Sequence, residues 1–188
     1  MNFYLPWWLK ISIKILISRL PLAYKFWKRI GLFEHGKMNN QTYAVSVFFE
    51  HIKRSHLNLK DLQGKIILEM GPGDSIATVI IASCFKGKVI LVDAGSFASE
   101  DIGIYIDLEK HLKDLGYDPM PISNCRNVKE ILELCGAKLF SEGLESLKKL
   151  SDCSVDLIFS QAVLEHVRKF EFQETMEETF RLLKNDGC

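Results

Sequence analysis

The chain has 188 residues, of which 47% are hydrophobic and 26% are charged, so it is long enough to bury the core of one globular domain. Its 24 basic and 24 acidic residues balance, which excludes the basic composition of a general nucleic-acid-binding protein. The charge is uneven, however: residues 1–33 carry six Lys or Arg and no acid, whereas the remainder carries 18 bases and 24 acids.

The cysteines and the apolar segments predict a cytoplasmic protein. No uninterrupted apolar stretch is long enough to span a bilayer, and the first residues lack the order of charge, apolar run and cleavage site of a signal peptide. The cysteines form no CxxC pair and no cluster with histidine at metal-ligand spacing, so we expect reduced thiols and no metal site. They are Cys84, Cys125, Cys135, Cys153 and Cys188.

Residues 1–33 predict two short basic amphipathic helices. Isoleucines alternate from Ile11 to Ile17 as in a strand, but the spacing of the leucines is helical, Pro6 suits a helix start and Pro21 a break. Two uses remain open for this segment. It could cover the substrate site as a lid, or contact an anionic membrane surface peripherally at its inner face through its bases and tryptophans.

A third helix is predicted over about residues 40–56, with Asn39 or Asn40 as its cap. Its buried stripe would be Val45, Phe48, Phe49 and Ile52. Three histidines in this part of the chain suit a lid, but they are more typical of solvated surface positions: His35, His51 and His56. We assign residues 1–60 to an N-terminal helical extension.

From residue 65 onward, apolar strands alternate with helical segments. The strands are expected in 65–70, 88–95, 137–143 and 154–160, and the helices in 75–85, 107–116, 127–136 and 172–187. Strands without solvent-facing alternation, joined by helices, are typical of a parallel sheet covered on both faces. The predicted fold is therefore α/β, a Rossmann-like doubly wound and mainly parallel sheet over residues 61–188.

The turn after the first strand, Gly71-Pro72-Gly73, would let a cofactor approach the backbone closely. A dinucleotide fingerprint needs a small residue at position 76, which is Ile76, and Asp74 would repel a pyrophosphate. A nicotinamide-dependent oxidoreductase is therefore disfavoured. Glu69 at the end of the strand suits a ligand ammonium group, and Asp93 after the second strand suits ribose hydroxyls.

At these residues the sequence resembles the class I S-adenosylmethionine-dependent methyltransferases. The resemblance runs from the Glu69-Met-Gly-Pro-Gly73 segment through Asp93 to "SVDLIFSQAVLEHV" at 154–167 and "FRLLKNDG" at 180–187. It covers residues 64–187. It implies S-adenosylmethionine as cofactor and methyl transfer to a small-molecule acceptor, with no nucleic-acid partner.

The resemblance also implies roles for individual residues. Glu69, Gly71 and Gly73 would hold the methionine end of the cofactor, with Ser75 as the third small residue of the turn. Asp93 would hold the ribose and Glu142 the adenine. Ser160, Gln161 and Ala162 would border both cofactor and acceptor.

His166 in "LEHV" has two readings. A histidine near the methyl acceptor could act as a base, since its pKa is ordinarily close to neutral. The same residue could instead orient the following helix by hydrogen bonding. Methyl transfer depends largely on positioning, so a dedicated base is not obligatory.

The resemblance breaks off early. In the family the sheet continues for about three more strands, so we expect a fragment or a truncated gene product. A saccharide or a lipid-linked intermediate is the expected acceptor, on the strength of the basic start alone. The alternative is a non-catalytic methyltransferase-like protein that binds cofactor or membrane without turnover.

Overall fold

A computed structural model describes residues 37–188. The predicted basic helices of residues 1–33, and His35, lie outside the described residues. The predicted division of the chain at residue 60 likewise stays a prediction.

The described elements alternate as the sequence predicts. The helices are α1 (Gln41–Arg54), α2 (Ala77–Ser83), α3 (Ile102–Asp114), α4 (Val128–Leu134), α5 (Leu144–Lys148) and α6 (Phe172–Leu182). The strands are β1 (Ile66–Met70), β2 (Lys88–Val92), β3 (Lys138–Phe140) and β4 (Leu157–Ser160). Short 3-10 turns occur at Leu59–Leu62, Ile122–Asn124 and Leu164–His166.

The four strands form one parallel sheet in the order β3-β2-β1-β4. The chain winds outward from β1 through β2 to β3 and then returns to place β4 on the other side of β1. This reversal at β1 is the topological switch point of a doubly wound sheet, where a crevice opens beyond the carboxyl ends of the strands. The predicted α/β fold is confirmed.

Each face of the sheet has its own apolar core. Ile67, Leu91 and Phe159 pack on one face with residues of α1 and α2. Leu68 and Met70 point to the opposite face, where Leu147 of α5 and Leu182 of α6 cover them. Because successive residues of a strand alternate between faces, Glu69 shares the face of Ile67 and Phe159.

α1 begins at the predicted cap, since the side chain of Asn40 accepts a hydrogen bond from the backbone N–H of Tyr43 at 2.9 Å. Val45, Phe48 and Ile52 are buried as predicted, and Phe49 is half-buried against the same core. α1 therefore packs into the core of the sheet domain.

Asp156, just before β4, fixes β4 against β1 at the end of the sheet away from the crevice. Its buried carboxylate accepts a hydrogen bond from the backbone N–H of Ile66 at 2.8 Å. Lys65 and Lys184 approach the same carboxylate at 3.2 Å and 2.7 Å. These contacts join the two strands that flank the crevice.

Within residues 37–188, no helix is long and apolar enough to cross a membrane. No group of three or more His, Cys, Asp or Glu side chains in this range could hold a metal ion. All five cysteines lie in it and are free thiols.

Candidate active site

The crevice at the switch point is bordered by the turn after β1 and the loop after β4. The turn bends through two glycines in the left-handed region, Gly71 at φ 68° and Gly73 at φ 66°. Residues with a side chain rarely adopt this backbone. The backbone N–H of Gly71 donates to the carbonyl of Val92 at 2.7 Å, which ties the turn to the end of β2.

Glu69 is a buried carboxyl at the carboxyl end of β1. Only 1% of the residue is exposed, and its Oε2 has no hydrogen-bond partner among the described residues. Its neighbours in register are Leu91 of β2 and Phe159 of β4. A buried polar atom without a partner is rare in native proteins, because it loses its bonds to water without replacement.

The environment of Glu69 favours its neutral form. Burial raises the pKa of Glu69 to about 7; the nearby Thr78 hydroxyl acts in the opposite direction, and the charge of Asp93 adds to the increase. A ligand ammonium group would supply both the missing partner and the compensating charge. The site at Glu69 therefore fits the amino-acid end of the predicted cofactor.

Asp93 follows β2 and holds the glycine turn. Its Oδ2 accepts a hydrogen bond from the backbone N–H of Gly73 at 2.9 Å, and its Oδ1 accepts one from the N–H of Ala94 at 2.7 Å. The residue is half-buried at the crevice edge of the sheet. Both bonds come from backbone groups, and the contact of Asp93 with ribose stays a prediction.

Asp74 and Ser75 are buried residues just before α2. The buried Ser75 hydroxyl oxygen accepts from the backbone N–H of Ala77 at 3.2 Å. The buried Asp74 carboxylate accepts from the side-chain amide of Asn39 at 2.8 Å. A carboxylate at this helix start repels an approaching phosphate, which agrees with the rejection of a dinucleotide. Ser75 as a cofactor residue stays a prediction.

Glu142 follows β3 at the same edge of the sheet. Its side chain is exposed and pairs with Lys149. The next residue, Gly143, donates its backbone N–H to the carbonyl of Asp93 at 2.8 Å, which places Glu142 beside the end of β2. Its contact with adenine stays a prediction.

The segment Ser160 to Ala162 begins the loop after β4. Ser160 is the register partner of Met70, so it lies beside the end of β1. Ala162 is exposed and adopts a left-handed φ of 56°. The loop then turns back onto β1, because the Val163 side chain lies against Gly71: a Cβ on that glycine would come within 2.3 Å of Val163 Cγ2.

His166 lies apart from these groups. Its side chain is 77% exposed, and its Nε2 is 3.6 Å from Oε1 of the exposed neighbour Glu165. The structure therefore does not bring His166 together with Glu69 or Asp93, and its catalytic role stays a prediction.

His51 of α1 reaches the site, although the sequence favours a surface position for it. Its ring stacks on Phe159 with the centroids 4.5 Å apart and the planes at 21°. Its Nε2 is 3.1 Å from Oε1 of Gln161. The signal in the sequence was its position one residue before the buried Ile52, at the border of the apolar stripe of α1.

A groove of about 430 Å³ runs along one face of α1 and ends at Gln161. The residues of α1 that line this α1 groove are Tyr43, Ser46, Val47, Glu50, His51 and Arg54. Its lining combines an aromatic ring, an imidazole and an exposed Glu50–Arg54 ion pair of 2.9 Å.

Comparison with known protein families finds one matching family over the C-terminal part of the chain. Residues 108–188 match the profile of a family described as a methyltransferase domain. The matched residues overlap the part of the chain, residues 64–187, over which the sequence resembles the methyltransferases, and the match supports that resemblance. No curated protein matches the sequence.

Among solved structures, the chain is similar to a Methanococcus maripaludis protein provisionally assigned as an S-adenosyl-L-methionine-dependent methyltransferase. The two are 13% identical, with a TM-score of 0.46. The alignment covers 80% of this chain and 56% of the other, so this chain spans little more than half of that protein's length.

Proposed function

We propose that this protein transfers the methyl group of S-adenosylmethionine to a small-molecule acceptor. The observation that carries the proposal is Glu69, whose buried carboxyl has an oxygen without a partner at the crevice edge of β1. The glycine turn follows it within two residues, and Asp93 closes the neighbouring strand. Acidic groups around a close backbone approach suit a nucleoside ligand that carries positive charge.

The chain's residues divide the work by their chemistry. Glu69 would accept hydrogen bonds from the ammonium group of the cofactor. Gly71 and Gly73, which have no side chains, would let the cofactor approach the backbone of the turn. Asp93 would accept hydrogen bonds from the ribose hydroxyls. Ser160, Gln161 and Ala162 would face the acceptor. When bound, S-adenosylmethionine supplies an electrophilic methyl group on a positively charged sulfur.

For the acceptor we propose a saccharide or a lipid-linked intermediate in the cytoplasm. The support is the charge of residues 1–33, six bases and no acid, interspersed with apolar and aromatic residues. Such a segment suits an anionic membrane surface, and its attraction to that surface would weaken as salt increases. Vesicle co-sedimentation at low and high salt tests this contact separately from catalysis.

Isothermal titration calorimetry with S-adenosylhomocysteine tests cofactor binding. We expect Asp93→Ala and Glu69→Gln each to weaken binding about tenfold or more, since a hydrogen bond to a charged group contributes roughly 1.5–3 kcal/mol. Asp114→Ala, an exposed acid at the end of α3, is the matched control and should bind like the parent protein. No binding heat from the parent protein would overturn the proposal.

A second candidate is a protein that binds without turnover. The contact of Val163 with Gly71 favours it, because the chain's own side chain covers part of the glycine turn. Incubation with methyl-labelled S-adenosylmethionine and saccharide acceptors separates the two functions. Labelled product from the 188-residue chain would exclude the second candidate.

A further inference from the structure

His51 is anchored from two sides at the border of the crevice. Phe159 supports one face of its ring at 4.5 Å, and Gln161 makes a 3.1 Å hydrogen bond to its Nε2. The residue is half-buried, whereas the alternative histidine, His166, has only an exposed neighbour. A ring fixed by stacking and by a hydrogen bond is positioned for directional chemistry.

The two supports of His51 are also neighbours of the expected cofactor residues. Phe159 is the register partner of Glu69 in the adjacent strand, and both side chains lie on the same face of the sheet. Gln161 begins the loop whose Val163 lies against Gly71. His51 is thus one side chain removed from the buried carboxyl, and it lines the α1 groove together with Gln161.

We infer that His51 is the residue that takes the proton from an acceptor hydroxyl bound in the α1 groove, with Gln161 holding its ring. This assignment rests on the proposed methyl transfer. The imidazole takes the hydroxyl proton while the acceptor oxygen forms its bond to the methyl carbon. The carbon–sulfur bond breaks and its electron pair stays on sulfur.

The hydrogen bond to Gln161 indicates which ring nitrogen of His51 takes the proton from the acceptor. An amide oxygen accepts only from a protonated ring nitrogen, so Nε2 of the neutral ring carries the hydrogen and Nδ1 carries the lone pair. Nδ1 is therefore the atom that receives the proton. Gln161 then stabilises the imidazolium, as an oriented acceptor does for a catalytic histidine.

The surroundings keep His51 in the form that this role requires. Burial is the main cause that lowers the pKa of His51, and the charge of Arg54 lowers it further. The hydrogen bond to Gln161 and the charge of Glu50 raise the pKa, but the net effect is a decrease. On the sheet side, Glu69 lies beside Phe159 in the register of β1 and β4. The ring is consequently neutral at pH 7 and able to accept a proton.

Two cofactor analogues test the assignment without knowledge of the acceptor. S-adenosylhomocysteine has no group at the position of the transferable methyl, whereas sinefungin carries an ammonium group there. If His51 faces that position, its lone pair accepts a hydrogen bond from sinefungin alone. We expect His51→Ala to weaken sinefungin about tenfold and S-adenosylhomocysteine less than about twofold, in calorimetric titrations at pH 7.5.

His51→Asn, which keeps a polar side chain of similar length, replaces His51→Ala if the latter fails to fold. His111→Ala in α3 is the matched histidine control, expected to bind both analogues like the parent protein. The preference for sinefungin should also fall in the parent protein as the pH drops through the pKa of His51, because an imidazolium repels the ammonium. His51→Asn should lack this pH dependence.

The outcomes are distinct. Equal weakening of both analogues, or of neither, overturns the assignment of His51 and leaves the methyltransferase proposal standing. Failure of the parent protein to bind S-adenosylhomocysteine overturns the methyltransferase proposal and, with it, the role of His51.

Discussion

The backbone N–H of Gly73 donates a hydrogen bond to Oδ2 of Asp93 across 2.9 Å and so joins the turn after β1 to the end of β2. The other oxygen of the same carboxylate accepts from the N–H of Ala94. Asp93 therefore shapes the glycine turn before any ligand arrives. A residue expected to contact the cofactor thus also fixes the backbone that the cofactor would approach.

Asp93→Ala should lower the free energy of unfolding by about 1–3 kcal/mol, because two backbone N–H groups lose a charged acceptor. Asp93→Asn should lower it by less, since the amide oxygen can still accept one of these bonds. Urea unfolding of the two variants measures the difference. Equal stability of Asp93→Ala and the parent protein would show that the bond to Gly73 contributes nothing.

Gly71→Ala should destabilise the protein more than Gly64→Ala. Both glycines adopt a left-handed φ, 68° and 76°, so both variants incur roughly 1–2 kcal/mol of backbone strain. A Cβ at Gly64 meets nothing within 4 Å, whereas a Cβ at Gly71 meets Val163 at 2.3 Å. The clash should add about 1–3 kcal/mol to the loss at Gly71, as overpacking does elsewhere.

Val163→Ala separates the steric clash at Gly71 from the backbone strain there. In the double variant the two Cγ contacts of 2.3 Å and 2.6 Å disappear and only the tight Cβ contact of 3.0 Å stays beside the backbone strain, so the loss caused by Gly71→Ala should fall most of the way to that of Gly64→Ala. A thermodynamic cycle from urea unfolding measures this coupling. Additive effects of the two substitutions would contradict the packing of Val163 on the glycine turn.

The sequence predicts the fold well where local signals and burial agree. Apolar strands alternating with helices predict the parallel sheet. The helix predicted over 127–136 begins at Asn127, whose side chain accepts from the backbone N–H of Glu130. Gly116 and Gly136, the last residues of two predicted helices, adopt left-handed backbones that end them. Each of these features depends on neighbours a few residues away.

The sequence pattern predicts that α3 begins at residue 107, whereas in the structure it begins at Ile102. Asp101 caps the helix by accepting from the backbone N–H of Gly103 at 3.0 Å. A glycine in the first turn is a poor helix former, so the pattern concealed the cap. The fold places Tyr105 and Leu108 of this helix in the core, and their burial outweighs the weak local preference.

The roles of Glu69 and His51 depend on contacts between distant parts of the chain. The sequence places Glu69 at the end of a strand, but its burial depends on Phe159, 90 residues later. The stacking of His51 requires the same phenylalanine, and its hydrogen bond spans 110 positions. Periodicity within one helix cannot reveal a partner in another element.

Glu69→Gln should change how stability depends on pH. Because the folded-state pKa of Glu69 is raised to about 7 from an ordinary 4.5, its favourable contribution is complete below pH 4.5 and is lost as the pH rises through 7. The shift corresponds to about 3 kcal/mol. Relative to the parent protein, Glu69→Gln should therefore gain about that amount between pH 4.5 and pH 8, measured by urea unfolding.

A comparison of the two pH profiles cancels the other titrating groups. Parallel curves for Glu69→Gln and the parent protein would contradict the raised pKa. Glu100→Gln, an exposed glutamate before α3, is the matched control for the substitution. If the pH dependence of the unfolding free energy changes in Glu69→Gln and not in the control variant, burial of Glu69 is the cause of its raised pKa.

Binding of S-adenosylhomocysteine should release a proton from Glu69. At pH 6 the carboxyl of the free protein is mostly protonated, because burial raises its pKa to about 7. A ligand ammonium beside it stabilises the carboxylate and lowers that pKa, so nearly one proton should leave at pH 6 and few at pH 8. The dependence of binding enthalpy on the ionisation enthalpy of the buffer counts the protons. Glu69→Gln should release none from this position at either pH, and equal proton counts in both proteins would show that the ammonium binds elsewhere.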